Sequence, residues 1–379
     1  METPMFLAPL HYDCVQCSKG CRVDFTIPVQ PQVEAGMHDS ECGRALQREG
    51  YVPVRVLENG VKTMSRRPDG SCVLLRPDGL CAIHAEKGFQ AKPRPCRQFP
   101  FHPINTPDGF YIGLSFMCTA VQKDLGRPLE EQRAEIEHAV SELFLEVPPE
   151  PVTDLLIPIA VDSKVSWPEY LEIERYVSEA LNMKEEGLLD ALWCTTARLG
   201  LAFLQHLNDE TPFALSTLDI TASPPLQFAE PALEYAAANL VAIVETADGE
   251  ERVGMVESYL VGEAFHSDRC ERAMRATPGR HVPPWFDGEV RRYFQHVLFR
   301  KFLSNGPILA RMFSLCSLYR VLRHYTLDSA AQQQREHPVL EDYYAALDVV
   351  EVELMLHADG LTPFYDHLAY LCLNVLDPG

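Results

Sequence analysis

The stretch Cys14-Val15-Gln16-Cys17-Ser18-Lys19-Gly20-Cys21 decides how the first third of this chain is read. A thiolate is a soft, charge-dense ligand, and three held close by short loops can fill corners of one metal centre once a fourth arrives from elsewhere. Gly20 permits the tight turn that the third thiolate requires, and the charge of Lys19 favours thiolate over thiol. Five further cysteines, Cys42, Cys72, Cys81, Cys96 and Cys118, follow within the first 118 residues. These eight are the candidate metal ligands. Cys194, Cys270, Cys316 and Cys372 are scattered through segments read as helical, and their expected role is core packing, the common fate of a free cysteine.

Working outward, Asp78-Gly79 lies between Cys72 and Cys81 and predicts a hairpin that sets those two thiols on neighbouring strand ends. Pro95-Cys96-Arg97-Gln98-Phe99-Pro100 adds another thiol, flanked by Arg94 and Arg97. A guanidinium there can offset the negative charge of a four-thiolate site. His84 and His102 fall in the same region, with ordinary polar roles expected because thiols are already plentiful. Seven or eight cysteines suit either one four-cysteine cluster with spares or two four-ligand sites. Structural zinc usually takes paired Cys-x2-Cys knuckles, and this chain has one such pair. A three-cysteine run with a distant fourth is closer to ligation of an iron–sulfur cluster, with 4Fe-4S favoured over zinc. The run is not the Cys-x3-Cys-x2-Cys of radical-SAM enzymes, because its two gaps stand in the opposite order.

The first 120 residues are dense in turn signals, among them Asn59-Gly60, Asp69-Gly70, Asp78-Gly79 and Asp108-Gly109. Long helices are not expected there, and short β segments are predicted over 52–57, 73–75 and 111–116. After Cys118 the pattern changes to apolar residues at helical spacing. Helices are predicted over 128–145, from Trp167 to about Met183, and near 187–207, 230–246, 251–265, 287–304, 307–325, 338–357 and 363–376. Ser166-Trp167-Pro168-Glu169 has the form of a capping box, a strand is expected within 152–165, and loops are expected over 209–225 and 275–284. The expected fold class is α+β, mainly α: a cysteine-rich module over 1–125 and an acidic, mainly helical domain over 126–379.

Charge separates the two parts. Residues 1–120 carry 13 Lys and Arg against 12 Asp and Glu, a balance of +1, so within the net charge of −21 the remainder carries −22. An acidic body of this strength repels nucleic acid and anionic membranes and would suit a basic protein partner or protein substrate, although solubility accounts for it equally well. No secretory signal and no run of about eighteen apolar residues is present, so a cytoplasmic protein with reduced thiols is expected.

With Cys14, Cys17, Cys21, Cys72, Asp78, Gly79, Cys81, Cys96, Arg97, Phe99 and Pro100, the first third resembles the zinc- or iron-chelating cysteine-cluster family called YkgJ-type. The resemblance implies a chelating role for these cysteines and a role beside the centre for Arg97. Ser115 to Cys118, Ser166-Trp167-Pro168-Glu169-Tyr170 and Val290 to Phe299 are similar to the flagellin lysine-N-methylase branch of that family. That likeness implies a protein-lysine methyltransferase using S-adenosylmethionine. The family usually has two adjacent cysteines at the end of the first run. Here Arg22 follows Cys21, so one ligand is either lost or replaced by Cys42.

Gly-x-Gly-x-x-Gly after a strand, Gly-x4-Gly-Lys-Ser/Thr, His-Glu-x-x-His and Gly-x-Ser-x-Gly are all absent from the sequence, which leaves the common nucleotide, zinc-protease and serine-hydrolase readings without support. Three functions are therefore expected: a cluster-binding metalloprotein, a lysine methylase, or a zinc-stapled interaction module with no chemistry of its own.

Overall fold

The computed structural model describes residues 4–23, 25–146, 149–160, 163–183, 187–209, 215, 224–276, 281–355 and 362–376. The chain forms two compact units, Met1–Pro151 and Val152–Gly379. The fold is α+β and mainly α, as the residue pattern predicts.

The first unit has two small cores. One is built on a sheet of order β1-β6-β5, formed by β1 (Met5–Leu7), β5 (Phe101–Thr106) and β6 (Gly109–Leu114). β5 and β6 pair antiparallel, whereas β1 runs parallel to β6, with Phe6 opposite Tyr111. Gly109 makes the turn between them at φ +142°, where an added Cβ would stand 2.3 Å from the Pro4 carbonyl oxygen. β2 (His11–Tyr12) pairs with β7 (Arg127–Pro128), and the short α5 (Thr119–Gln122) precedes β7. α6 (Arg133–Glu146) buries Ile136, Val140 and Leu143 and stacks Phe144 on Phe110 at 4.5 Å between ring centres.

α6 therefore belongs to the first unit, whereas the residue pattern sets the boundary at 125/126 and assigns this helix to the second. The reason is tertiary. Arg133 donates to the Met5 carbonyl at 2.9 Å, and Gln90 donates to Glu142 at 2.6 Å, so the helix covers a core laid down far earlier in the chain.

The other core joins Val29, Val33, Met37, Leu46, Met64, Val73, Leu74 and Ile83, with Cys42, Cys72 and Cys81 at its border. It is enclosed by α1 (Pro31–His38), α2 (Glu41–Arg48), the hairpin β3 (Val54–Val56) with β4 (Lys62–Met64), α3 (Ala82–Lys87) and α4 (Arg94–Gln98). Helices here are short, as expected. The β segment predicted over 73–75 is instead a turn, in which the Leu75 N–H donates to the Cys72 carbonyl. That turn drops two successive apolar side chains, Val73 and Leu74, into the core, which an extended strand cannot do. The corner between α1 and α2 requires glycine: a Cβ on Gly43 would lie 2.0 Å from the Met37 carbonyl oxygen, and Ser40 Oγ accepts from the Gly43 N–H at 2.9 Å to cap α2.

The second unit opens with the hairpin β8 (Leu156–Ala160) and β9 (Ser163–Ser166), which leads into α7 (Trp167–Asn182). The capping box forms, with Glu169 accepting from the Ser166 hydroxyl at 2.6 Å and from its N–H at 2.7 Å, bonds that hold its carboxyl below the usual range. α8 (Leu188–Asp209), α9 (Leu226–Glu245), α10 (Gly249–Val261), the hairpin β10 (Ala264–Ser267) with β11 (Arg272–Arg275), and α11 (Trp285–Phe299) follow. α12 (Ile308–Gln332), α13 (Leu340–Val349), a wide π turn over Val350–Met355 and α14 (Thr362–Leu376) complete the unit.

α12 is the axis of this unit. It is buried on nearly every face, its polar residues Arg311, Ser317, Arg320 and His324 included, and packs against α8, α9, α13 and α14. Two details depart from the residue pattern. The helix expected over 251–265 stops at Gly262, which takes the left-handed conformation, and β10 begins two residues later. The helix expected to end near 325 continues to Gln332. The loop predicted over 209–225, apart from isolated positions, and residues 277–280 of the loop over 275–284 lie outside the described residues. Among the described residues no helix is long and apolar enough to cross a membrane.

Candidate metal centre

Seven of the eight early cysteines fall into two groups, and the division runs through the opening triplet. Cys21 ends a short 3-10 turn whose backbone is tied to the next thiol, because the Cys72 N–H donates to the Cys21 carbonyl at 2.8 Å. Asp78 and Gly79 turn the chain as expected: the Gly79 N–H donates to the Arg76 carbonyl, with Gly79 at φ +81°, and Leu75 bridges to Cys81. Cys81 then caps α3, and Cys96 sits inside α4. The thiols of Cys21, Cys72, Cys81 and Cys96 lie within electrostatic reach of one another.

Burial governs the proton affinity of Cys21, Cys72 and Cys96. It pushes the Cys96 thiol up to about 12 and the Cys72 thiol up to about 11, with the neighbouring sulfurs adding to the rise. It raises Cys21 as well, and Cys81 and Cys17 add to the effect, so the two groups come within electrostatic reach of each other at Cys17 and Cys21. Two cations oppose it: Lys92 faces Cys96 and Cys21, and Arg66 faces Cys21 and Cys72. Arg66 is fixed by donating to the Cys21 carbonyl at 3.0 Å and the Phe25 carbonyl at 3.1 Å.

Arg97 is buried, and its guanidinium donates to the Lys92 carbonyl at 3.2 Å and to Gln90 Oε1 at 2.8 Å. It thus holds the loop that presents Lys92 to the thiols. Arg94 opens α4, its N–H donating to Gln30. His84 is exposed on α3, with its proton affinity lowered by partial burial and by the charge of Lys92, and His102 lies in β5 opposite Gly113.

Cys14, Cys17 and Cys118 form the second group. Tyr12, half-buried, has its hydroxyl hydrogen-bonded to Cys14 and lies within electrostatic reach of Cys118 and Cys17. Burial pushes the Cys17 thiol up, but hydrogen bonds from the Thr119 hydroxyl and from the backbone N–H groups of Lys19 and Thr119, with the Lys19 charge, bring it below its ordinary value. Cys118 caps α5, and burial raises its thiol against the N–H groups of Val121 and Ala120. Gln16 and Ser18, either side of Cys17, both hold left-handed backbone at φ +54° and +56°.

Cys42 stands apart, in the first turn of α2. Its sulfur lies 3.2 Å from Ser40 Oγ, its N–H donates to Glu86, and burial raises its thiol. Among the described residues no three His, Cys, Asp or Glu side chains converge tightly enough to share one ion.

Of the later cysteines, Cys316 and Cys372 are fully buried, and burial pushes Cys316 up to about 12. Cys270 corrects the helical expectation, because it sits in the turn between β10 and β11. That turn is clamped by a carboxylate that sequence reasoning missed. Glu245, fully buried, accepts from Arg269 Nη2 at 2.7 Å, from the Tyr325 hydroxyl at 2.6 Å and from Ser267 Oγ, with Cys270 Sγ at 3.8 Å. Its partners come from α12 and the β10–β11 region, so this network staples a hairpin to the helical core. Arg66, Lys92, Tyr12 and Thr119 were also missed. No spacing rule marks them, since each reaches its thiols through the fold. Comparisons with protein-family models, with curated proteins and with solved structures find no match to this chain.

Proposed function

We propose that the first unit is a metalloprotein module in which Cys21, Cys72, Cys81 and Cys96 hold an iron–sulfur cluster. The observation that carries this reading is the gathering of four thiols from four separate segments, two of them, Cys72 and Cys81, at the border of one small core, faced by two cations. Bound to a metal, these half-buried thiols would give up their protons, and Arg66 and Lys92 would offset the charge left behind. Four sulfurs on one zinc ion would stand about 3.8 Å apart, as tetrahedral Zn–S bonds of about 2.3 Å require, whereas cluster ligands each bind a different iron and stand farther apart.

When bound, such a cluster supplies one-electron transfer or an open iron for a ligand. The residues of this chain would bind it, neutralise it and shield it: Cys72 and Cys96 from half-buried positions, Arg97 by holding the Lys92 loop. The resemblance to the YkgJ-type family agrees with this role. Its methylase branch extends the reading to a protein-lysine methyltransferase that uses S-adenosylmethionine in the cytoplasm, with the acidic helical unit receiving a basic protein substrate rather than nucleic acid. Protein purified without oxygen tests the proposal. Brown colour with matched iron and sulfide, reduced by Cys96→Ser, is expected. Colourless protein with stoichiometric zinc would replace the cluster by a structural staple, and protein binding neither metal would overturn the site. Lysine methylation of a flagellin-like substrate would then be assayed on the loaded protein.

A further inference from the structure

We infer that Cys14, Cys17 and Cys118 are a second iron–sulfur site, separate from the first, with three protein thiolates and one corner left to a small donor from outside the chain. The inference rests on the cluster reading above and deepens it.

Three observations carry it. Cys14 and Cys17 are exposed, although free cysteine is among the most buried residue types, so core packing does not account for them. Their loop is stapled to a single later segment. Asp124 accepts from the His11 N–H at 3.0 Å, Arg127 binds Asp13 at 3.0 Å, and Gln132 donates to the Tyr12 carbonyl at 2.7 Å. Lys19 donates to Gln122 at 3.0 Å and Thr119 is hydrogen-bonded to Cys17, so residues 118–132 hold both exposed thiols beside Cys118.

The third observation is the change of partner within the run. Cys17 is held by α5, while four residues on Cys21, within electrostatic reach of Cys17, is tied through its backbone to Cys72 and Arg66. The left-handed backbone at Ser18 turns the chain between the two groups, a conformation that costs non-glycine residues free energy and persists where surrounding contacts enforce it. Three thiols with an exposed side leave a fourth coordination position facing solvent, unlike the more buried set of four.

Iron and sulfide content after anaerobic reconstitution tests this, measured on the whole chain as wild type, Cys17→Ser and Cys96→Ser. Two centres per wild-type chain are expected, with each variant losing about half the iron. Because Cys17 is exposed, its substitution leaves the fold intact, which circular dichroism verifies. Cys17→Ser protein with wild-type iron would overturn the second site and leave the first standing. Complete loss in both variants would mean a single shared centre and would also overturn it. No iron in wild type would remove the cluster reading itself. In Cys96→Ser, the paramagnetic resonance spectrum of the reduced protein should shift when cyanide is added; an unchanged spectrum would overturn the open corner.

Discussion

The two units solve the problem of burial in different ways. In the second, one 25-residue helix, α12, is surrounded by others, and Phe313, Leu315, Val321 and Leu322 are fully enclosed. In the first, the core beside the thiols is a cluster of eight buried residues held by turns and by helices of at most eight residues, with Cys72 and Cys81 on its border. The contrast teaches where a ligand is needed for folding. Apolar area alone stabilises a long helical assembly, whereas a small loop-rich core gains little and benefits from cross-links.

The largest expected effect follows from that contrast. Keeping metal away from the protein, or replacing Cys72 and Cys96 together by alanine, should unfold the region around Val29 to Ile83 and leave the helical unit folded. Calorimetry would show two transitions, with chelator moving only the lower one; a lower transition indifferent to chelator would erase the distinction. Next come changes within the helical unit. Phe313→Ala should cost about 3–5 kcal/mol through the cavity it leaves. Arg300→Met should cost a similar amount, about 3–5 kcal/mol, because Glu351, bound by Arg300 at 2.5 Å and by the Tyr293 hydroxyl at 2.7 Å, would keep a buried charge without its cation. Both should lower the upper transition while metal content stays constant.

Acid should act on the helical unit as well. Burial pushes His324 down to about 4, so the ring is neutral in the fold, while an unfolded chain takes up a proton below about 6.5. Its contribution is complete above pH 6.5 and is lost as pH falls towards 4, amounting to about 3 kcal/mol there. His324→Phe should flatten the pH dependence of the upper transition over that window; an unaltered slope would remove His324 as the cause. The smallest effect is Ser40→Ala, which removes the α2 cap beside the thiols and should cost about 1 kcal/mol in the lower transition alone.

Legibility in the sequence followed the range of the interaction. The α7 capping box was readable because Ser166 and Glu169 are three residues apart, and the long helices because their apolar period is local. Pro31 at the start of α1 and Ser40 before α2 are signals of the same kind, which the density of turn residues obscured. The hairpin of β10 and β11 left no such mark, since four-residue strands carrying Arg272 and Arg275 lack apolar alternation and are held by Glu245 from a distant helix. The site followed suit. Cysteine spacing flagged candidate ligands, but the partition of the triplet depends on Thr119 and Gln122 on one side and on Cys72 and Arg66 on the other, all of them far along the chain from it.

The placement of the cysteines gives the molecule its own chemical reporters. Cys14 and Cys17 meet solvent in the native state, whereas Cys316 and Cys372 lie inside the helical core, at α12 and α14. A brief pulse of an alkylating reagent therefore reads two events in one chain. Modification at Cys14 and Cys17 reports whether a ligand covers the exposed thiols, and modification at Cys316 and Cys372 counts the molecules whose helical core has opened.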